Sequence, residues 1–425
     1  MRNKIWVLIL VAIFAIAMVA GCGSGEDGAA DGDGAADGGD LTTHTIVAIL
    51  PLTGPLGTFG ENNAEVTKLA VEDVNEWLEE EGRNWRMKLE IDDTQTEGPV
   101  GLRKMQSWFG EGVRFFVGPM ASGVAQECLS FANSNQILYI TPSSTSLALA
   151  IDDWLYRFVP SDDIQGPAVA AAAEAAGAEH LIFIWQGDTW GDGLQGFAEV
   201  KAIEKGMNIY PEKLRFDPQK EDFTTDAALL DEYVSDLVAQ GVPLEKIGIN
   251  AIVFEQIAPL LAEAAKYDQL WQVAWVGSDG AASSEALKQH PVASEFAIDR
   301  KMVNPMAKPT EVPESLNQHV RDHIRELLGR ETDSYSFNTY DAVWSLAMCI
   351  DQVGYDSAAV KEILPDVADE WSSVYGASGR VVLNEYGDRA FADYDYFMLN
   401  EESEWEIVGY YDMAADEIVW HREIY

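Results

Sequence analysis

The stretch Val113-Arg114-Phe115-Phe116-Val117-Gly118-Pro119-Met120-Ala121-Ser122-Gly123 and its sequel one unit later, Ile137-Leu138-Tyr139-Ile140-Thr141-Pro142-Ser143-Ser144-Thr145, decide the fold. Each opens on a short apolar run, as strands covered on both faces do. Each then breaks at Gly or Pro and gives way to small, hydroxyl-bearing residues that suit helix starts. Ser122 to Asn133 reads as the connecting helix. A strand followed by a helix start, twice in succession, is the pattern of a parallel α/β sheet. Ligands of such sheets sit beyond the carboxyl ends of strands, where helix N-termini present free N–H groups and a positive dipole end. Ordinary capping explains either loop alone, but two at neighbouring strand ends suit a carboxylate.

Towards the N-terminus, a strand at Thr45 to Leu50 leads through the Pro/Gly-rich loop Pro51 to Gly60 into a helix. That helix carries Val66, Leu69, Ala70, Val74, Trp77 and Leu78 on one face. Met87, Leu89 and Ile91 alternate with Lys88 and Glu90 as a second strand. A second series begins after Phe158, with a helix near Gln165 to Ala176, a strand at His180 to Trp185 and a helix after Trp190. Strands follow near Ile209 to Phe216, Ile247 to Phe254 and Gln272 to Val276, separated by helices near Thr225 to Gln240 and Gln256 to Tyr267. Two consecutive series imply two lobes. Helices near Pro313 to Leu328 and Ser336 to Val353 still need a sheet to cover, so the chain is expected to cross back to the first lobe. Val276-Gly277-Ser278-Asp279-Gly280 ends a strand of the second series. Asp279 should therefore project into the crevice between lobes, where it could pair with an ammonium group; a turn or helix-starting Asp is the plainer alternative.

At the N-terminus, Arg2 and Lys4 precede an apolar run from Ile5 to Ala20 that ends in Val19-Ala20-Gly21-Cys22. This order reads as a signal peptide over 1–21 with a lipoprotein cleavage box, Cys22 carrying the lipid. The run is shorter than the roughly 20 apolar residues a membrane span needs. Residues 22–43 then read as a lipidated Cys and a flexible acidic Gly/Ala/Asp linker. The formal charge of −43 becomes −45 once two positive charges leave with the signal, which excludes nucleic acid as a partner. Hydrophobic residues make up 47% of the chain, ample for large cores, so the acidity signals solubility rather than disorder. Cys128 and Cys349 lie in apolar helical stretches and read as buried free thiols.

Gly191-Asp192-Gly193-Leu194-Gln195-Gly196 fits G-x-G-x-x-G, but Gln186 to Trp190 separate it from the strand end. A helix start with close backbone packing is the better reading, and no cofactor is expected. His319 and His323 have i, i+4 spacing, yet Val320 stands where a zinc protease needs Glu, so no metal is expected there. No nucleophile-base pattern is visible, and the chain does not read as an enzyme.

From Thr45 to about Tyr411 the chain resembles the type I periplasmic solute-binding proteins, specifically the branched-chain amino-acid (Leu/Ile/Val) binding family of ABC importers. The resemblance rests on Leu52-Thr53-Gly54-Pro55 with Phe59-Gly60, Asp92-Asp93, Val117-Gly118-Pro119 and Thr141-Pro142-Ser143-Ser144-Thr145. It continues through Trp190-Gly191-Asp192-Gly193, Tyr340-Asp341-Ala342 and Gly376-Ala377-Ser378-Gly379 followed by Gly387-Asp388. It implies two Rossmann-like lobes with parallel central sheets, joined by a three-strand hinge around a ligand cleft. Lobe I would be 44–161 plus 305–388 and lobe II 162–304 plus 389–425. It further implies that Ser122 and Thr145 bind a ligand carboxylate, that Ser143 offers its backbone carbonyl to the ammonium and that Asp279 is the acidic partner of that ammonium. Phe59, Tyr335 and Trp190, with Phe254 beside them, fall where the family places aromatic walls. Asp279 stands where the best-known members have Glu, and Ala121 replaces a Cys that some members bridge to an earlier loop. The implied function is an extracytoplasmic, lipid-anchored, monomeric binding protein that delivers an amino acid, branched-chain or otherwise apolar or aromatic, to an ABC permease. An amide- or urea-binding protein and a ligand-sensing lipoprotein for a membrane receptor are the alternatives.

Overall fold

The computed structural model describes residues 41–310 and 314–425. The expected signal peptide, Cys22 and nearly all of the acidic linker lie outside the described residues, as does Pro313. Among the described residues no helix is long and apolar enough to cross a membrane.

The chain begins with β1 (Thr42–Leu50), α1 (Gly57–Glu80), β2 (Trp85–Asp93), α2 (Gly98–Gly110), β3 (Phe115–Val117), α3 (Ser122–Asn135), β4 (Leu138–Thr141) and β5 (Leu155–Arg157). These strands form one parallel sheet in the order β2-β1-β3-β4-β5. Ile46 to Leu50 are fully buried because helices cover both faces, which is why the central strands show no alternation.

The second lobe follows with α4 (Asp162–Ala175), β6 (His180–Gln186), α5 (Thr189–Glu204), β7 (Asn208–Ile209), β8 (Leu214–Phe216), α6 (Thr224–Ala239), β9 (Ile247–Ile252), α7 (Ile257–Ala264) and β10 (Ala274–Val276). Its parallel sheet runs β10-β9-β6-β7, with β8 also on β6. The single strand expected over Ile209 to Phe216 is thus two short strands, parted at Tyr210 to Lys213 around Pro211, which has no N–H to give a ladder. Next come α8 (Glu285–Gln289), α9 (Pro291–Asp299) and β11 (Asn304–Ala307).

The chain then returns to the first lobe, where α10 (Glu314–Leu328), α11 (Ser334–Val353) and α12 (Ser357–Tyr375) cover the face that carries α1. It crosses a third time into β12 (Tyr394–Leu399), β13 (Trp405–Asp412) and β14 (Glu417–Trp420), an antiparallel sheet completed by β11. Tyr396 Oη donates to the Ala168 carbonyl of α4 at 2.7 Å, which seats that sheet on the second lobe. The first and third crossings are clamped together. Arg157 is fully buried and grips Asp388 through Nε at 2.5 Å and Nη2 at 2.6 Å, while the Arg157 N–H donates to the Gly387 carbonyl. Two of the family landmarks have the same kind of purpose. Asp341 on α11 accepts from Ala377 N–H at 2.7 Å, Ser378 N–H at 2.9 Å and Ser378 Oγ at 2.5 Å, pinning the loop after α12.

Candidate functional site

The site forms where β3 and β4 end. Gly118 turns the chain after β3 at φ +86°, a conformation that a Cβ would strain, and α3 begins at Ser122. Ala121 stands at the cap position with no side-chain acceptor, so the first N–H groups of α3 have no partner within the helix. Ser122 Oγ accepts from Ser144 Oγ at 3.0 Å and from Ser146 N–H at 3.2 Å, which leaves its own proton free to donate. Ser143 Oγ donates to the Met120 carbonyl at 3.0 Å, tying the two loops together. The second loop departs from expectation, because it opens no α-helix: a single 3-10 turn over Leu147–Leu149 leads straight into β5. Internal bonds shape the loop instead. Thr141 Oγ1 donates to the Pro119 carbonyl at 2.7 Å and accepts from Ser144 N–H at 3.2 Å, and Arg157 Nη1 donates to the Ser144 and Ser146 carbonyls at 3.2 and 2.7 Å. The Arg157–Asp388 clamp therefore sits directly behind the hydroxyl loop.

Across the cleft, Asp279 follows β10 in a one-turn helix. Its two oxygens already have partners: Gln165 Nε2 donates to Oδ1 at 2.9 Å and Tyr335 Oη donates to Oδ2 at 2.5 Å. Burial raises the Asp279 carboxyl above its ordinary range, and the Tyr335 and Gln165 bonds pull it part of the way back. Asp162, the first residue of α4, is fully buried, and neither of its carboxyl oxygens has a hydrogen-bond partner. Burial, and next the charge of Asp279, push its carboxyl well above the usual range, and the nearby Thr145 hydroxyl offsets only part of this. Thr145 Oγ1, Gln165 Oε1 and Tyr394 Oη are likewise buried without partners. An unpaired buried carboxylate is costly, so this cluster is built to receive a cationic or donor group.

Phe59, Ser122, Ser143, Trp190, Asp279 and Tyr335 line one cavity together with Leu56, Met120, Ala121, Phe254 and Gly280. Thr145, the remaining expected residue, does not line it. Phe59 and Tyr335 lie with ring centroids 5.5 Å apart, and Trp190 stacks on Phe254 at 4.4 Å. Gly280 permits that stack, since a Cβ there would stand 2.5 Å from Phe254 Cδ1 and 2.9 Å from Trp190. The cavity volume is about 20 Å3, room for one water, so an organic ligand needs the walls to part.

Two residues of the cleft escape sequence reasoning. Asp162 sits in Ser161-Asp162-Asp163, a run that reads as helix-starting acids. Glu255 follows a strand in an ordinary loop. The only signal for Asp162 is its place at a strand-to-helix junction of the crossover, and for Glu255 there is none.

Elsewhere, Asp188 Oδ1 caps α5 by accepting from Gly191 N–H at 2.8 Å, and a Cβ on Gly191 would overlap the Gln186 carbonyl. Close packing holds for Gly191 alone, since a Cβ on Gly193 would come no nearer than 3.7 Å to any neighbour and one on Gly196 would meet nothing within 4 Å. His319 Nε2 lies 2.8 Å from Asp73 Oδ2, and among the described residues no group of three or more His, Cys, Asp or Glu could hold a metal. Cys128 and Cys349 are buried and unpaired, their thiols pushed up to about 12 by burial.

Two α/β lobes, three crossings and a polar-apolar cleft between the lobes define the fold of the type I periplasmic binding proteins. Residues 62–402 match the model of the receptor family ligand binding region, and the chain belongs to that family. It is 30% identical over 389 residues to an uncharacterised protein of Methanocaldococcus jannaschii, covering 88% of this chain and 90% of that one. It is 24% identical to Leu/Ile/Val-binding protein homolog 3 of Brucella melitensis, covering 83% of this chain and 90% of the relative. Among solved structures, the leucine binding protein LivK of Thermotoga maritima superposes with a TM-score of 0.71 at 19% identity, covering 86% of this chain and 98% of that one. A solute binding protein of R. palustris in complex with benzoate gives 0.70 at 14% identity, over 88% and 96% of the two chains. The resemblance read from the sequence and the two-lobed fold are both met.

Proposed function

We propose that this chain is the extracytoplasmic solute-binding component of an ABC importer, anchored through a lipid on Cys22, and that it closes on an amino acid as a zwitterion. The observation that carries the reading is the pairing of opposite demands in one cleft. On one side the free Ser122 proton and the open N-terminus of α3 suit an anion. On the other, Asp279, with the buried Asp162 near it, suits an ammonium group. A neutral amide or urea would leave the Asp279 carboxylate without a cation, which argues against that alternative. The aromatic and aliphatic wall favours an apolar or aromatic side chain. The branched-chain ligands of the Leu/Ile/Val-binding relatives are the first candidates. Entry requires the Tyr335–Asp279 bond to break and the lobes to open, and reclosure on the solute gives a shape that a permease can read.

Calorimetry over the twenty amino acids, with urea, acetamide and benzoate alongside, tests the ligand class. Saturable binding of an amino acid is expected; binding of benzoate or urea alone would refute the zwitterion reading. Cys22→Ser should release the protein from membranes and leave solute affinity unchanged.

A further inference from the structure

Beyond the crossings and the Tyr335–Asp279 bond, the lobes also meet at the start of α1. This helix lacks a cap of its own, since Leu56 stands at the cap position and no acidic residue lies in the first turn. The missing acceptor comes from the other lobe. Glu255, between β9 and α7, accepts from Thr58 N–H at 3.2 Å and from the Thr58 hydroxyl through the same oxygen. Its own N–H donates to the Pro55 carbonyl at 3.0 Å, and Glu285 N–H, also of the second lobe, donates to Thr58 Oγ1 at 3.3 Å. Arg330, between α10 and α11, donates to the Thr58 carbonyl at 3.3 Å and to Glu61 at 2.7 Å; burial raises the Glu255 carboxyl, and the Thr58 bonds and the Arg330 charge pull it part of the way back. A carboxylate on a first-turn N–H of a long helix is a charge-assisted contact supported by the helix dipole.

The placement matters because Thr58 precedes Phe59 and Glu255 follows Phe254, and both rings line the cavity. We propose that Glu255 is a positioning residue for solute binding: by capping α1 from the opposite lobe it stabilises the closed arrangement through protein groups alone and sets the gap between Phe59 and Phe254. Closed protein is then present before solute arrives. The apparent affinity falls in proportion if that fraction is lost. The effect on affinity rests on the solute-binding reading, whereas the closure itself does not.

Small-angle scattering on the mature chain without added solute tests the latch independently of ligand identity. Glu255→Ala and Thr58→Val are each expected to raise the radius of gyration above that of the parent, and the double variant to go no further than either. Glu255→Gln, which keeps an acceptor oxygen but not the charge, should fall between. Where an amino acid binds, the two single variants should bind it roughly ten-fold or more weakly. Scattering curves of both single variants that superpose on the parent would overturn the latch, whatever happens to affinity. A failure of every amino acid to bind would overturn the ligand class and leave the scattering result standing.

Discussion

Tyr335 Oη, from the first lobe, donates to Asp279 Oδ2, from the second, over 2.5 Å. Each is an expected ligand contact, and here each answers the other across the cleft. A solute ammonium that takes Asp279 must compete with this bond, so part of the gain on binding offsets the loss of an existing contact.

Removing either partner should therefore have unequal effects. Asp279→Asn deletes the charge that meets the ammonium, and affinity should fall by roughly ten- to a hundred-fold, the equivalent of about 1.5–3 kcal/mol for a charged hydrogen bond. Tyr335→Phe removes only the competitor and a lobe-bridging bond, and its effect should be several-fold smaller. Calorimetric dissociation constants for the parent and both variants check this. Equal losses for the two would show that Asp279 acts through Tyr335 and not on the solute.

Asp162 offers a sharper separation of folding from binding. Its carboxyl is fully buried and held well above its ordinary range, so the fold gains little from its charge. Asp162→Asn should leave the thermal midpoint unchanged or raise it while weakening solute binding, the usual trade between a strained site and stability. A lower midpoint combined with unchanged affinity would make Asp162 a structural residue instead.

The clamp behind the hydroxyl loop leads to the opposite expectation. Arg157 is fully buried, with two bonds to Asp388 and two to the carbonyls of Ser144 and Ser146. Arg157→Ala leaves Asp388 buried and unpaired and should cost about 3–5 kcal/mol of stability in a denaturant titration. Replacing both partners, Arg157→Met with Asp388→Leu, should recover most of that loss, because the remaining hydrophobic pair carries no stranded charge. If the double variant were no more stable than Arg157→Ala, the carbonyl bonds rather than the ion pair would be the main contribution.

These residues also mark how far sequence reasoning reaches. The parallel strands were visible because burial on both faces forces continuous apolar runs such as Ile137 to Ile140, and loops such as Ser143 to Thr145 betray strand ends by their small hydroxyl residues. Six of the seven expected contacts line the cavity: Ser122, Ser143 and Asp279 sit in loops at strand ends, while Phe59, Trp190 and Tyr335 came only from the family resemblance. The antiparallel sheet of β11 to β14 was not foreseen. β12, Tyr394 to Leu399, is buried at every position and so lacks the alternation that reveals an antiparallel strand. Asp162 and Glu255 were missed because their roles depend on partners far away in sequence, and a carboxylate in a helix start or a loop is unremarkable until a fold buries it.

Burial of carboxyl groups should also give this protein an acid-shifted stability profile. Asp341 and Asp395 are raised to about 6 and Asp153 to about 7, in each case chiefly by burial. Since their unfolded values lie near 3.9, the folded chain binds more protons than the unfolded chain between about pH 4 and 7. The associated stability is complete below that window and is lost as pH rises through about 6 and 7. Self-repulsion of a chain with formal charge −43 acts in the same direction. Asp192 beside Arg215 and Asp416 beside Lys201, held below their ordinary values, titrate below the window, and His44, lowered by burial, opposes three raised carboxyls within it. Thermal midpoints should accordingly be higher at pH 5 than at pH 8. Asp153 gives the specific control, because its Oδ1 accepts from Leu155 N–H at 2.7 Å while its buried Oδ2 has no partner. Asp153→Asn keeps the bond and removes the titration, so it should stabilise the protein at pH 8 and change little at pH 5. A midpoint that rises from pH 5 to pH 8 in the parent would mean that ion pairs, not buried acids, govern the profile.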